Sequence, residues 1–268
     1  ALRLPRVSRP RFDPAGMTSG AIDEAVRRSM EEFGSVYEVD EELLARLQPD
    51  LVLTQAVCEV CAVPTGAVEA AVSALPPGVE IVSLDAHDTE GIIETFEQVA
   101  TAAGEPGRGA AAAGRLRERV AAVVDRVAGA DRPKVLLLEW LDPPFAPGHW
   151  VPEMVEIAGG RNLIGEEGER SRQIDWSEVG DLDPDVLLIE PCGFSLEEAR
   201  GDADRHRSRL LGAAPRAIEG GEAWLLHSAW FSRSGPRIVE GIEVLAHILH
   251  PDRFPHDALP GRAERWPR

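Results

Sequence analysis

Between Pro106 and Ala130 the chain runs for about 25 residues without a strand signal, and this stretch decides how the rest can be organised. Ala and Arg dominate it, and Leu116, Val120, Val123, Val124 and Val127 recur at helical spacing. Gly109 and Gly114 each cost only about 1 kcal/mol against Ala inside a helix, so neither breaks the pattern. A helix of that length reaches roughly 37 Å at 1.5 Å per residue, enough to pass from one folded unit to another. Its apolar stripe is too short for the repeated heptads of a coiled-coil arm. A strut joining two units is the expectation.

On either side of it, short apolar strands alternate with helices. Residues 1–16, rich in Pro and Arg, read as an extended lead-in. Ser19 is placed as the N-cap of a helix over 20–33, with Ile22, Val26, Met30 and Phe33 along one face. A strand over 36–39 follows, then a helix from Asp40 to Leu47, a Pro49-Asp50 break and a strand over 51–54. A helix near 65–75, a strand over 79–84 and a helix over 89–103 complete this half. After the strut, strands are expected at 134–138, near 162–164, at 186–189 and at 223–227. Helices are expected over 151–158, near 176–182, from Ser195 toward Leu211 and over 236–249. Ile238, Ile242, Leu245 and Leu249 stripe the last one.

Such alternation argues parallel sheets. The fold class is therefore α/β: two Rossmann-like lobes, 1–105 and 131–268, joined by a connecting helix over 106–130. The lobes also echo each other. Leu47-Gln48-Pro49-Asp50-Leu51-Val52-Leu53 matches Leu182-Asp183-Pro184-Asp185-Val186-Leu187-Leu188 in residue type and in place, as expected of a duplicated unit.

A chain of 268 residues suits two domains, and its 44% hydrophobic and 28% charged residues are ordinary for a globular protein. The net charge of −18 repels phosphate backbones and anionic membrane surfaces, which argues against nucleic-acid binding. No apolar run is long enough to span a bilayer, so direct membrane insertion is not expected. The opening ALRLPRVSRPRFDP lacks the apolar core of a signal peptide, which leaves a cytoplasmic location open on the residues alone.

In open parallel sheets, ligands bind beyond the carboxyl ends of the strands. The segments in that position are 55–63, 139–150, 190–195 and 228–235. They hold all three cysteines, His149, and three of the six tryptophans. That composition suits a flat, partly apolar ligand. The candidate ligand-binding residues are Trp140, His149, Trp150, Phe194, Trp230, Phe231 and Arg233. Glu139 and Asp142 are a weaker carboxylate pair with no spacing that argues catalysis.

Cys58-Glu59-Val60-Cys61 admits four readings. The cysteines form half of a zinc or iron site completed by His149 and Cys192, or a redox dithiol, or a local disulfide, or small buried hydrophobes. No phosphate-binding loop, dinucleotide fingerprint, zinc-protease motif or nucleophile elbow is present.

Four stretches resemble the iron-chelate and cobalamin periplasmic-binding-protein family, more narrowly its cobalamin-binding branch. They are DEELLARLQPDLVLTQAVCEVCAV (40–63), EWLDPPFAPGHWVPEMVEIAGG (139–160), DPDVLLIEPCGF (183–194) and WFSRSGPRIVEGIEVLAHILHP (230–251). The resemblance covers nearly all of 17–251. It implies two α/β lobes on a helical strut that close slightly on a ligand. It also implies no catalysis, an extracytoplasmic location, and delivery of cobalamin or a similar metal chelate to the permease of an ABC importer. Family chains open with one further strand–helix unit before the segment that PRVSRPRFDP resembles, so the first lobe is expected to lack it. Cys-Glu-Val-Cys and Pro-Cys-Gly-Phe depart from the better-known cobalamin-binding members. The rival class is a metal-binding protein or enzyme built on Cys58, Cys61, His149 and Cys192.

Overall fold

Val135 to Leu138, Leu187 to Ile189 and Ala223 to Leu226 are almost entirely shut off from solvent, as the unbroken apolar runs of strands covered on both faces must be. They form the centre of one sheet in a computed structural model that describes residues 4–55, 78–254 and 259–267. The chain divides into two compact units, Ala1–Asp85 with Glu94–Ala112, and Ala86–Ile93 with Ala113–Arg268. Both are α/β.

In the first unit, β1 (Ser8–Pro10) pairs antiparallel with β2 (Tyr37–Val39). Helix α1 (Ser19–Phe33) lies between them in sequence. Its cap is Thr18, whose hydroxyl accepts from the Ala21 N–H at 3.3 Å, one residue before the expected Ser19, which is buried instead. Asp40 caps α2 (Glu41–Leu47) as expected, accepting from the Leu43 N–H at 2.8 Å. Leu44 on α2 packs against Val7, Val39 and Val79. β3 (Leu51–Thr54) and β4 (Glu80–Ser83) pair in parallel, Leu51 opposite Glu80. The helix expected near 65–75 lies outside the described residues.

Helix α3 (Thr89–Ala102) leads to α4, one uninterrupted helix from Pro106 to Val127. Residues of α4 up to Ala112 belong to the first unit and those from Ala113 to the second. Of the expected stripe Leu116 and Val123 are buried, beside Ala113, whereas Val120 and Val127 are partly buried and Val124 is exposed. Gly109 is needed for close approach: a Cβ there would lie 2.6 Å from the Ala100 Cβ and 2.8 Å from the Phe96 carbonyl.

The second unit is built on β5 (Lys134–Leu138), β8 (Arg161–Asn162), β10 (Val186–Ile189), β11 (Ala223–Leu226) and β12 (Ala263–Arg265), in the order β12-β11-β10-β5-β8. All pairings are parallel except β11 with β12. Helices α5 (Val151–Ile157), α6 (Leu196–Arg205), α7 (Arg207–Ala213), α8 (Pro215–Gly220) and α9 (Arg237–Leu249) accompany it. The four stripe residues of α9 are buried, each such aliphatic side chain contributing about 1.5–3 kcal/mol. The single helix expected from Ser195 toward Leu211 is two helices, because the chain turns at His206, whose ψ of 14° leaves the helical range. The helix expected near 176–182 is only a 3-10 turn, Trp176–Glu178. A small antiparallel sheet of β6 (Trp140–Leu141), β7 (Pro144–Ala146) and β9 (Arg172–Gln173) stands where a loop was expected.

The sequence echo has a conformational counterpart. Gln48 and Asp183, at the same place in the two heptapeptides, are both left-handed, with φ of 45° and 46°.

Candidate functional site

In the second unit the carboxyl ends of β5, β10 and β11 deliver Glu139, Glu190 and His227. Strand β5 runs on into β6, and the Glu139 carbonyl accepts from the Cys192 N–H at 3.1 Å. The Glu139 carboxylate accepts from the Ser171 hydroxyl at 2.7 Å. Glu190 is wholly buried, and the Ser232 hydroxyl donates to one of its oxygens while the other has no hydrogen-bond partner. Burial, then the neighbouring Cys192 and Glu139, hold the Glu190 carboxyl well above the usual carboxylate range. The two glutamates thus fasten a loop on either side of the sheet edge.

Trp140 is partly exposed; its ring meets Phe194 at 5.1 Å, and its indole N–H donates to the Asp142 carbonyl at 3.1 Å. Phe194 itself is only 6% exposed. Trp150 is 5% exposed and donates its indole N–H to the Phe231 carbonyl at 2.6 Å, and the Phe231 ring is fully buried. Trp150, Phe194 and Phe231, expected among the ligand-binding residues, are thus all buried by packing within the second unit.

His149 is half-buried and left-handed, with φ of 53°. Its backbone explains the conformation, since its N–H donates to the Glu169 carbonyl at 2.6 Å and its carbonyl accepts from the Gly168 N–H at 2.9 Å. Gly148 lets that loop come close, because a Cβ there would lie 2.3 Å from the Ser171 nitrogen. The imidazole stands 5.9 Å from the exposed His87 ring and 5.7 Å from Trp150, and its Nδ1 has no hydrogen-bond partner. Burial, reinforced by His87 and Arg170, lowers the His149 pKa. Its neutral form, with a free nitrogen lone pair, prevails at neutral pH.

Trp230 is partly exposed and donates to Glu240 at 3.2 Å. The guanidinium carbons of Arg237 and Arg262 lie 5.5 and 5.7 Å from its ring, and His227 meets it edge-on at 4.9 Å. Arg233 is exposed three residues further on.

The structure thus brings Trp140, His149, Trp230 and Arg233 to partly or fully exposed positions in the second unit. Cys192 is a free, partly exposed thiol. Cys58 and Cys61 lie outside the described residues. Among the described residues no three His, Cys, Asp or Glu side chains are placed to hold a metal ion, Cys192 and His149 included. Sequence reasoning missed His87, Glu190, Ser232 and Arg237. A usable signal existed for Glu190: Lys-Val-Leu-Leu-Leu-Glu and Val-Leu-Leu-Ile-Glu both end a buried strand on a glutamate.

Comparison with known proteins adds to this picture. A family model described as periplasmic binding protein matches residues 18–215. The vitamin B12-binding protein of Vibrio cholerae is 27% identical over 105 residues, 39% of this chain and 35% of its own length. The cobalamin-binding protein of Halobacterium salinarum is 24% identical over 235 residues, 85% of this chain. The chain spans 61% of that relative's length. Among solved structures, a periplasmic heme binding protein from Pseudomonas aeruginosa superposes with a TM-score of 0.69 at 22% identity, covering 86% of this chain and 82% of its own. At that identity the likeness is one of fold.

Proposed function

The chain belongs to the periplasmic binding protein family, and from that premise we propose that it binds a corrinoid or related metal chelate and passes it to an ABC importer. The observation that carries the reading is His149. In this reading the half-buried imidazole, neutral at neutral pH and held by a left-handed backbone among aromatic rings, meets the open position of a chelated metal through Nε2, its Nδ1 being shut off from solvent. Trp140 and Trp230 offer partly exposed aromatic surface, and Arg233 an exposed cation, in the same unit. The names of the Vibrio and Halobacterium relatives favour a corrinoid, and that of the Pseudomonas structure a heme.

In this reading nothing is made or broken; the ligand leaves as it arrived. The protein works outside the cytoplasm, against the permease of its importer. No helix among the described residues is long and apolar enough to cross a membrane. A zinc or iron site on Cys58, Cys61, His149 and Cys192 is the competing assignment, and metal analysis of the purified protein tells the two apart.

The test is a titration with cobalamin, cobinamide and heme, followed by the visible spectrum of the chelate. Saturable binding of one of them is expected, with a band shift on binding that disappears in His149→Ala. Absence of binding to all three overturns the proposal.

A further inference from the structure

His87 and His149, far apart in sequence, bring their rings to 5.9 Å between centroids, with the planes tilted by 36°. Both belong to the second unit. Imidazole nitrogens bind a transition-metal ion at about 2.0–2.1 Å, so two rings sharing one ion stand roughly 5–6.5 Å apart, according to the angle at the metal. The observed spacing falls inside that window.

Both backbones are held in place. His149 is clasped by Glu169 and Gly168, as described above. His87 lies between Ala86 and Thr89, each only 3% exposed. The Thr89 N–H donates to the Glu153 carboxylate at 2.6 Å, and the Asp88 carboxylate accepts from the Gly91 N–H at 2.6 Å, which fixes the start of α3. The His87 side chain is exposed on this anchored segment, so its ring can turn toward His149. The surrounding field suits a cation: Asp88, Glu153 and Glu156 all lie close enough for Glu167 to feel their charge. Arg170, near His149, offsets part of it.

We propose that His87 and His149 together bind a bare divalent transition-metal ion, and that this ion competes with the chelate for His149. The ion site stands apart from the chelate-binding reading; the competition rests on it. His149 donates through Nε2, its Nδ1 being shut off from solvent. That buried Nδ1 has no acceptor to strengthen the ring as a ligand, and among the described residues no third side chain is in place to close the site. Water completes the coordination sphere, so the ion is held reversibly, with a dissociation constant on the order of 10 µM. Zinc, which imidazole suits, is the probe.

Zinc chloride titrated into the metal-stripped protein, followed by calorimetry, is expected to show one equivalent bound. His87→Gln and His149→Gln are each expected to weaken zinc binding about tenfold or more. Cys58→Ser/Cys61→Ser/Cys192→Ser is expected to bind zinc as the parent does, which separates this site from one built on thiolates. Circular dichroism checks that each variant is folded. With zinc at about ten times its dissociation constant, a competing chelate is expected to bind about tenfold more weakly. His87→Gln is expected to bind that chelate as the parent does and to lose the antagonism. No zinc binding, zinc affinity unmoved in His87→Gln, or zinc binding lost with the cysteines overturns the ion site. Zinc held through both histidines with chelate affinity unchanged overturns the competition. If no chelate binds at all, the chelate reading falls and takes the competition with it, while the zinc titrations still decide the ion site.

Discussion

The indole N–H of Trp150 and the backbone carbonyl of Phe231 lie 2.6 Å apart, joined across 81 residues of sequence. Trp150 opens α5 and Phe231 sits behind β11, so one buried hydrogen bond sets the position of the loop that carries Trp230, Arg233 and Arg237. Trp150→Phe keeps the aromatic bulk and removes the donor, leaving a buried carbonyl unsatisfied. The expected loss is about 1–3 kcal/mol of stability in urea denaturation. Trp150→Ala is expected to cost more, about 3–5 kcal/mol. A Phe variant as stable as the parent would show that the bond holds nothing.

Glu190 gives a pH test. Its folded pKa is raised, so its contribution to stability is full below the unfolded carboxylate value and is lost as pH rises through the folded one. Glu190→Gln, which mimics the neutral acid and retains an acceptor for Ser232, is expected to match the parent near pH 4 and to exceed it at pH 8. Urea midpoints across that range check this; parallel pH profiles for the two proteins contradict it.

Two glycines of one helix separate packing from propensity. Around Gly114 there is open space, so Gly114→Ala is expected to stabilise by about 0.5–1 kcal/mol. Gly109→Ala forces its methyl into Ala100 and the Phe96 carbonyl, and the overpacking penalty of about 1–3 kcal/mol outweighs the propensity gain. Opposite signs in thermal denaturation are the expected result.

Arg119 donates two hydrogen bonds to Glu243, at 2.9 and 2.7 Å, linking α4 to α9 inside the second unit. Both side chains are about a third exposed or more, so solvent screening limits the pair. Glu243→Gln is expected to cost no more than about 1 kcal/mol in low salt, and less in 1 M NaCl, where the screening length is about 3 Å. A large loss that does not respond to salt would point to packing instead.

Val186–Ile189 was readable because burial on both faces demands an unbroken apolar run; Leu51–Thr54 stands where the same rule put a strand, but it is only partly buried and Leu53 is exposed. The long helix was readable because its stripe has a single period. The hairpin of Trp140–Leu141 with Pro144–Ala146 was not, since two- and three-residue strands carry no period to detect. Aromatic content singled out the candidate loops, but type alone does not tell a ring that faces solvent from one that holds the loop. Trp150 and Trp230 read alike in sequence; only packing separates them. Glu190 was passed over because a glutamate is seldom buried, and its burial follows from its place behind a strand covered on both sides.

Gln48 and Asp183 turn the chain through one and the same corner, each left-handed just before a Pro-Asp pair. That backbone excludes β-branched side chains and favours Gly, Asn and Asp. If both positions were randomised together and selected for folding, the survivors at each should be drawn from a single short alphabet, so that the choices tolerated at one corner forecast those tolerated at the other.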